Sequence, residues 1–210
     1  MKLFNFFGLL FLAGCAGIAP NSLQHLDPSI KQTILVQSVG TYKAVLTAWQ
    51  RVNDGWYRIY KTSAVIGRNG LASFGAKKEG DGQTPSGVYP LGPAFGYAPS
   101  MKTGLDYRQA TENDFWVDDV NSPQYNQWVK GKPQAVSFEH MKRDDILYSY
   151  GAIISYNLNP IVFGAGSAIF MHIWRGYNKP TAGCVALNQR HLRKILHWLD
   201  KKLQPVIILE

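Results

Sequence analysis

The chain has 210 residues, of which 46% are hydrophobic and 17% charged, and its formal net charge is +8. This composition is typical of a globular protein and excludes an intrinsically disordered chain. The length suits one domain with a sizeable core, even without an N-terminal leader.

The N-terminus is expected to lie outside the folded domain. Lys2 precedes an apolar run over residues 3–13, and about 11 residues are too few to span a bilayer, which requires about 20. The run is typical of the hydrophobic part of a signal peptide. It ends in Leu12-Ala13-Gly14-Cys15, which resembles a bacterial lipobox. An ordinary secretory signal that happens to contain a cysteine is the alternative.

The lipobox resemblance implies cleavage before Cys15 and lipidation of that residue. Residues 1–14 are then the signal peptide, 15–29 a tether, and 30–210 the folded domain. Several acyl chains would anchor the protein to a membrane, whereas a single chain binds only marginally. Ala16 after the cysteine resembles a signal for the outer rather than the inner membrane, so we expect a periplasmic, lipid-anchored protein.

The positive net charge indicates that the protein's partners are anionic. In the envelope, a basic protein meets anionic material such as peptidoglycan carboxylates, teichoic acids or lipid headgroups. Nucleic acid is not a partner for that compartment. The alternative is that the charge only maintains solubility.

Between the tether and the last helix the sequence is rich in β-forming runs. Asn53-Asp54-Gly55 between two of them is a strong hairpin signal. The polar and aromatic segment 121–133 has no clear period. Predicted strands cover residues 34–39, 44–52, 56–60, 63–66, 87–91, 152–156, 168–173 and 206–209.

One helix is well marked near the C-terminus. Asn188 is a plausible N-cap, and an apolar pattern with helical spacing follows it. We expect Lys201 and Lys202 to lie on its solvent side or in its last turn, and Pro205 to stop it. The apolar positions are Leu192, Ile195, Leu196 and Leu199. The prediction is a mainly antiparallel β domain with one or a few helices.

Cys184 and His172 are the candidate catalytic residues. With Cys15 assigned to lipid, Cys184 has no partner for an intramolecular disulfide. A nearby imidazole can accept the thiol proton and activate the sulfur as a nucleophile. Strand alternation puts His172 on the same face as Phe170. The alternative is a buried structural cysteine beside a core histidine.

The loop before Cys184 suits such a site. Gly183 permits a turn that aims the Cys184 sulfur and its own N–H at a substrate carbonyl. The N-terminus of the helix near Asn188 is expected to lower the thiol pKa.

Two motifs together resemble a known family. His172, then Thr181-x-Gly183-Cys184 and a hydrophobic residue, then a helix, is similar to the signature of the L,D-transpeptidase catalytic domain (YkuD-like). The upstream Thr84-Pro85-Ser86-Gly87 resembles a second family segment. The resemblance covers residues 34–210 and implies an antiparallel, β-sandwich-like catalytic domain.

Three positions depart from the family pattern and indicate a divergent branch. Ala182 stands where the family usually has His, and Ile173 where Gly is common. Ala186 stands where many members have an Arg that holds a substrate carboxylate. Arg175 lies in the same loop and is the candidate replacement.

The resemblance implies a reaction on peptidoglycan stem peptides. Cys184 would attack the amide between the third stem residue and the following D-alanine, with His172 as base and then acid, and with Thr181 and Gly183 shaping the loop. An amine acceptor gives a 3–3 cross-link or attaches a protein lysine. Two alternatives stay open: an L,D-carboxypeptidase that uses water, and a non-catalytic wall-binding lipoprotein.

Further residues are candidates for substrate binding. Glu79 and Asp81, in a Gly-rich loop that also leads to Thr84, could meet the ammonium of a diamino acid. Tyr125 could line a groove for glycan or peptide, as could residues 116–119. The pair Glu139-His140 could orient His172 or bind substrate. The alternatives are a solvated turn, ordinary packing and a surface pair. No zinc-like ligand spacing is present, and no cofactor is expected.

Overall fold

The computed structural model describes residues 19–53 and 55–210. The predicted signal peptide and Cys15 lie outside these residues. Within the described ranges, neither α-helix has the length and apolarity that a membrane crossing requires. The helices are α1 (Asn21–Gln24) and α2 (Gln189–Trp198), and a 3-10 turn covers Lys201–Leu203. The strands are β1 (Gln32–Ser38), β2 (Lys43–Val52), β3 (Gly55–Val65), β4 (Gly87–Gly96), β5 (Tyr107–Gln109), β6 (Asp114–Val117), β7 (Gln127–Lys130), β8 (Phe138–His140), β9 (Tyr150–Ile154), β10 (Phe170–Ile173), β11 (Val185–Leu187) and β12 (Val206–Leu209).

The main sheet closes on itself. Its order is β12-β1-β2-β3-β11-β10-β9-β4-β5, and β12 pairs with β4 as well as with β1. Most neighbours are antiparallel, while β1–β12, β10–β11 and β4–β5 are parallel. The mainly β class is therefore confirmed, and the expected sandwich-like arrangement takes the form of a closed, mixed sheet.

Alternation along the strands builds two apolar clusters. In β1, Ile34 and Val36 join the main core while Leu35 faces the opposite side. In β12, Ile207 and Leu209 face the main core and Ile208 the other cluster. This period of two is what a strand with apolar contacts on both faces produces.

The described end of the predicted tether packs against the domain. Leu23 of α1 is fully buried, and together with Leu26 it covers Leu35, Trp49 and Ile208. The ordered fold therefore begins before Ile30, because these leucines remove the outer apolar face of the sheet from water.

A second sheet of three strands, in the order β7-β6-β8, lies beside the main one. Its central strand contributes Trp116, whose ring meets that of Phe170 in β10 edge to face, 4.9 Å between centroids. The second sheet is thereby fixed next to the strand that carries His172.

The strand predictions hold for the long runs and miss the short ones. The predicted strands at 56–60 and 63–66 are one continuous strand, β3. Strands β5, β6, β7, β8 and β11, each of three or four residues, were not expected. Strands β2 and β3 pair in antiparallel fashion up to Val52 opposite Gly55, as the predicted hairpin requires.

The cap of α2 agrees with the prediction, whereas its end does not. The Asn188 side chain accepts a hydrogen bond from the Arg190 N–H at 2.9 Å. The helix ends at Trp198, well before Pro205, and Leu199 is extended. Lys201 and Lys202 belong to the separate 3-10 turn, which the Asp200 side chain caps.

Candidate active site

Cys184 and His172 line one cleft of about 350 Å³. His172 comes from β10 and Cys184 from the residue preceding β11, and these two strands are parallel neighbours with His172 opposite Ala186. The sheet pairing thus brings together residues twelve positions apart in the sequence. The cleft is lined by Glu139, Arg143, Leu147, Tyr148, His172, Trp174, Arg175, Lys179, Pro180, Thr181, Ala182, Cys184 and Ala186.

The Cys184 thiol is held by backbone groups. Its sulfur accepts a hydrogen bond from the Phe170 N–H at 3.3 Å and donates to the Ala168 carbonyl at 3.2 Å. The residue is only 8% exposed, and burial raises the pKa of the thiol to about 12. The pKa shift is therefore opposite to the lowering expected from the nearby helix, because burial disfavours the thiolate.

His172 is buried and oriented by its own strand. Its Nδ1 lies 2.8 Å from the Ile173 carbonyl. A carbonyl can only accept, so Nδ1 carries the proton and Nε2 of the neutral ring is free to act as a base. Burial lowers the pKa of His172 to about 4. At neutral pH both members of the pair are therefore uncharged in the free protein.

Tyr148 packs against both aromatic rings on this face of β10. Its ring meets His172 edge to face at 5.1 Å and Phe170 at 5.7 Å, between centroids. His172 and Phe170 therefore share a face, as the alternation predicted.

Thr181 and Gly183 fix the turn that carries Cys184. The Thr181 hydroxyl donates to the Cys184 carbonyl at 2.6 Å and accepts from the Gly183 N–H at 3.2 Å. A Cβ on Gly183 would lie 3.0 Å from the Gln83 carbonyl oxygen, and its φ of +159° disfavours a side chain as well. Glycine is therefore required for this close approach between two loops.

Thr84 acts from beneath the loop and does not contact the cleft. Its hydroxyl donates to the Gly183 carbonyl at 2.6 Å and accepts from the Gly67 N–H at 2.9 Å. It is fully buried. Thr84, which was expected to bind substrate, therefore supports the Cys184 loop from within the protein instead.

Glu79, Asp81 and Tyr125 are also not among the residues that line the cleft. Asp81 forms an ion pair with Lys77 at 2.7 Å, and its carboxylate accepts from the Lys78 and Gln83 backbone N–H groups. The fully buried Tyr125 donates its hydroxyl to Glu79 at 2.5 Å. These contacts hold loops together, so the ammonium and groove roles expected for the three residues have no support in their positions.

His140 points away from His172, while Glu139 faces the cleft. In β8, His140 pairs with Phe115 of β6, their rings 4.9 Å apart, whereas Glu139 pairs with Trp116. Trp116 packs on β10, so alternation turns Glu139 toward the catalytic pair and His140 to the opposite face. His140 therefore cannot orient His172 in this arrangement.

The cleft carries more positive than negative charge. Arg143, Arg175 and Lys179 line it, with Glu139 as the carboxylate on its wall. Arg143 is held by Asp145 through two hydrogen bonds of 2.9 and 2.8 Å. Arg175 is exposed, and at Ala186, where many family members have Arg, the side chain is buried.

Tyr148 and Arg143 are cleft residues that the sequence did not indicate, whereas Glu139 was a candidate as part of the Glu139-His140 pair. No regular period marks the segment that carries them, so the sequence holds no signal for their orientation. Among the described residues, no three His, Cys, Asp or Glu side chains gather as a metal-binding group.

The fold and this cleft agree with a comparison to protein families. Residues 39–208 match the YkuD family, described as the L,D-transpeptidase catalytic domain. The chain therefore belongs to this family, whose members act on peptidoglycan in the cell envelope.

No curated protein matches the chain. A solved structure, that of Bd1075 from Bdellovibrio bacteriovorus, is similar with 16% identity and a TM-score of 0.46. The match covers 86% of this chain and 48% of that one, so this chain spans about half the length of Bd1075.

Proposed function

We propose that the protein is a cysteine L,D-transpeptidase that cleaves tetrapeptide stems of peptidoglycan. The observation that supports this most directly is the presence of Cys184 and His172 in one cleft, where β10 and the start of β11 are neighbours in a chain that matches the YkuD family. A buried structural cysteine would have no need of an imidazole or of a cleft open to solvent.

The reaction has two halves. The thiol hydrogen turns from the Ala168 carbonyl toward His172, and the Cys184 sulfur bonds to the carbonyl carbon of the third stem residue while Nε2 of His172 takes that proton. The C–N bond to D-alanine then breaks, and the imidazolium returns the proton to the leaving amine. An amine from a second stem, or from a protein, next attacks the thioester and regenerates the thiol.

The protonation states of Cys184 and His172 in the free protein determine how the first step, attack on the carbonyl, proceeds. With the thiol pKa at about 12 and the His172 pKa at about 4, a thiolate–imidazolium pair is unfavourable in the free protein. Proton transfer therefore accompanies attack on the carbonyl instead of preceding it. The Gly183 N–H is already bonded to Thr181, and we assign the Cys184 N–H as an oxyanion donor.

Arg175 is our candidate for recognising a substrate carboxylate. It lies on the cleft wall and is exposed, whereas Arg143 is engaged with Asp145. A guanidinium can bind a carboxylate through two parallel hydrogen bonds. Arg175 would thus take the role that Ala186 cannot perform.

Mass spectrometry of purified disaccharide-tetrapeptides incubated with the protein tests the proposal. Release of D-alanine with formation of cross-linked dimers is expected, and Cys184→Ala should abolish both. Release without dimers would instead establish the L,D-carboxypeptidase alternative. Absence of any change, together with no carbapenem adduct on Cys184, would favour the non-catalytic wall-binding role.

We also propose that Cys15 is lipidated and anchors the protein to the envelope side of a membrane, the outer membrane in a two-membrane bacterium. The support is the Leu12-Ala13-Gly14-Cys15 sequence. Incorporation of an alkyne-tagged fatty acid into the protein, lost in Cys15→Ser, is the expected result. Labelling that persists in the variant would reject the site.

A further inference from the structure

Glu139 is the one carboxylate among the side chains that line the Cys184 cleft. It is half-buried. One oxygen, Oε2, accepts a hydrogen bond from the Tyr148 hydroxyl at 2.5 Å. The other oxygen, Oε1, has no hydrogen-bond partner among the described residues, and it is not a fully buried atom. This oxygen therefore reaches solvent on a side chain that lines both the cleft and the neighbouring cavity around Asp144, and it is available to a ligand.

The carboxylate also lacks a cationic partner within the described part of the chain. The ion pairs there are Lys77–Asp81, Arg108–Asp114, Lys142–Glu112, Arg143–Asp145 and Lys201–Asp106. Arg143, the nearest candidate in the cleft, is held in two hydrogen bonds by Asp145 and lies over the Tyr148 ring, 5.2 Å from its centroid. Carboxylates removed from water are normally paired, so the position favours a cation supplied from outside.

The position of Glu139 is fixed from two sides. Its strand is held to β6 with Glu139 opposite Trp116, and Trp116 packs on Phe170, two residues before His172. Tyr148, which donates to Glu139, packs on His172 itself. The carboxylate therefore has a defined place relative to the catalytic imidazole, which a flexible surface residue lacks.

We propose that Glu139 forms a subsite for the side-chain ammonium of a diamino acid at the third position of the stem, the residue whose carbonyl Cys184 attacks. This rests on the proposed function and adds a specificity-determining residue to it: Glu139 favours stems in which that ammonium is free. The exposed Arg175 and Lys179 can bind the carboxylates of the same substrate, whereas Glu139 binds its ammonium group.

Burial supports this role. It raises the pKa of Glu139 above its ordinary value, and the nearby carboxylates Asp118 and Glu79 act in the same direction. An arriving ammonium would offset both effects, because an opposite charge favours the ionised carboxylate.

Isothermal titration calorimetry on Cys184→Ala protein, which binds without turnover, provides the test. The two probes are a tetrapeptide with diaminopimelate at the third position and the same peptide with 2-aminopimelate, which lacks only the side-chain amine. Tighter binding of the first peptide by about ten- to a hundred-fold is expected, as for one hydrogen bond between charged groups. Equal affinities, or no binding of either peptide, would overturn the subsite.

A second comparison separates charge recognition from positioning. Glu139→Gln, added to Cys184→Ala, keeps an acceptor for Tyr148 and should remove the preference for the ammonium peptide. Asp144→Asn, at an exposed carboxylate of the neighbouring cavity, should leave the preference intact. A loss of affinity in Glu139→Gln that is equal for both peptides would reject recognition of the ammonium.

The same peptides given to protein with Cys184 intact test the proposed function independently. Charge-selective binding without cysteine-dependent release of D-alanine would reject the transpeptidase and retain the subsite. Release of D-alanine at equal rates from both peptides would retain the enzyme and reject the subsite.

Discussion

The Cys184–His172 pair is uncharged at rest because the protein buries both groups. Burial raises the pKa of the thiol to about 12 and lowers that of the imidazole to about 4. In cysteine enzymes with a preformed ion pair, the thiol pKa is lowered instead. The reactivity of this sulfur should therefore depend on pH in a different way.

Alkylation of Cys184 by iodoacetamide measures this directly. The rate should increase about tenfold per pH unit between pH 7 and 9 without a plateau, because only the small thiolate fraction reacts. Peptide mass spectrometry isolates Cys184 from Cys15, and glutathione serves as a free-thiol control. A rate that is already constant across this range would reveal a thiolate–imidazolium pair and contradict the account.

His172 should also make folding stability depend on pH. Its folded pKa of about 4 lies below the ordinary value of 6.5. Between these two pKa values His172 binds a proton in the unfolded chain but not in the folded protein. The free energy of unfolding is therefore highest above pH 6.5 and decreases as the pH falls toward 4. Between pH 7.5 and 5 the loss is about 2 kcal/mol.

Urea unfolding of the wild type and His172→Gln at both pH values checks this prediction. The variant should lose about 2 kcal/mol less on acidification, whatever its own stability at pH 7.5. Other titrating groups contribute equally to both proteins and cancel. Equal losses would mean that His172 is protonated in the folded state at pH 5.

At the scale of elements, the Cys184 loop depends on a second loop that is distant in sequence. The Thr84 hydroxyl forms hydrogen bonds with both the Gly183 carbonyl and the Gly67 N–H. All three residues are buried. Removing the hydroxyl leaves two backbone groups without partners, each at a cost of about 1–3 kcal/mol.

Thr84→Val should therefore lower the urea midpoint and reduce D-alanine release, while Thr84→Ser keeps both hydrogen bonds and should be close to wild type. The valine variant matches threonine in shape, which isolates the hydroxyl. If both variants behaved alike, the Thr84 hydroxyl would not support the loop.

The segment around α1 is a second element whose role the structure changes. Leu23 is fully buried against the outer face of the sheet, although the segment was expected to be a tether. Leu23→Ala should destabilise the protein by about 2–5 kcal/mol, the usual range for a buried leucine. Gln24→Ala, at an exposed position one residue later, should have little effect. Equal thermal unfolding of the two variants would mean that the segment does not contribute to folding.

At the scale of the whole molecule, local sequence patterns predicted the long strands and the last helix. They did not predict that the main sheet closes on itself. Strands β1, β2 and β12 and the start of α2 follow from periodicity and capping. Three-residue strands such as β11 hold too few positions to show a period. The pairing of β12 with β4 joins distant parts of the chain, and no local pattern specifies it.

The same limit applies to the site. Cys184, His172 and the Gly183 turn were predicted because they lie close in sequence and resemble a family signature. Whether Glu139 or His140 would face the cleft depends on the register of β8 against β6. A shift of one residue would exchange the two side chains, and the irregular spacing between these strands does not reveal that register.

The proposed reaction depends on acylation of the Cys184 sulfur by the stem peptide. Mass spectrometry of the acid-quenched protein, mixed for seconds with disaccharide-tetrapeptide, tests this most directly. We expect a mass gain equal to the disaccharide-tripeptide acyl group, located on the peptide that contains Cys184 and absent from Cys184→Ala. D-Alanine release that continues in Cys184→Ala without any adduct would contradict the account.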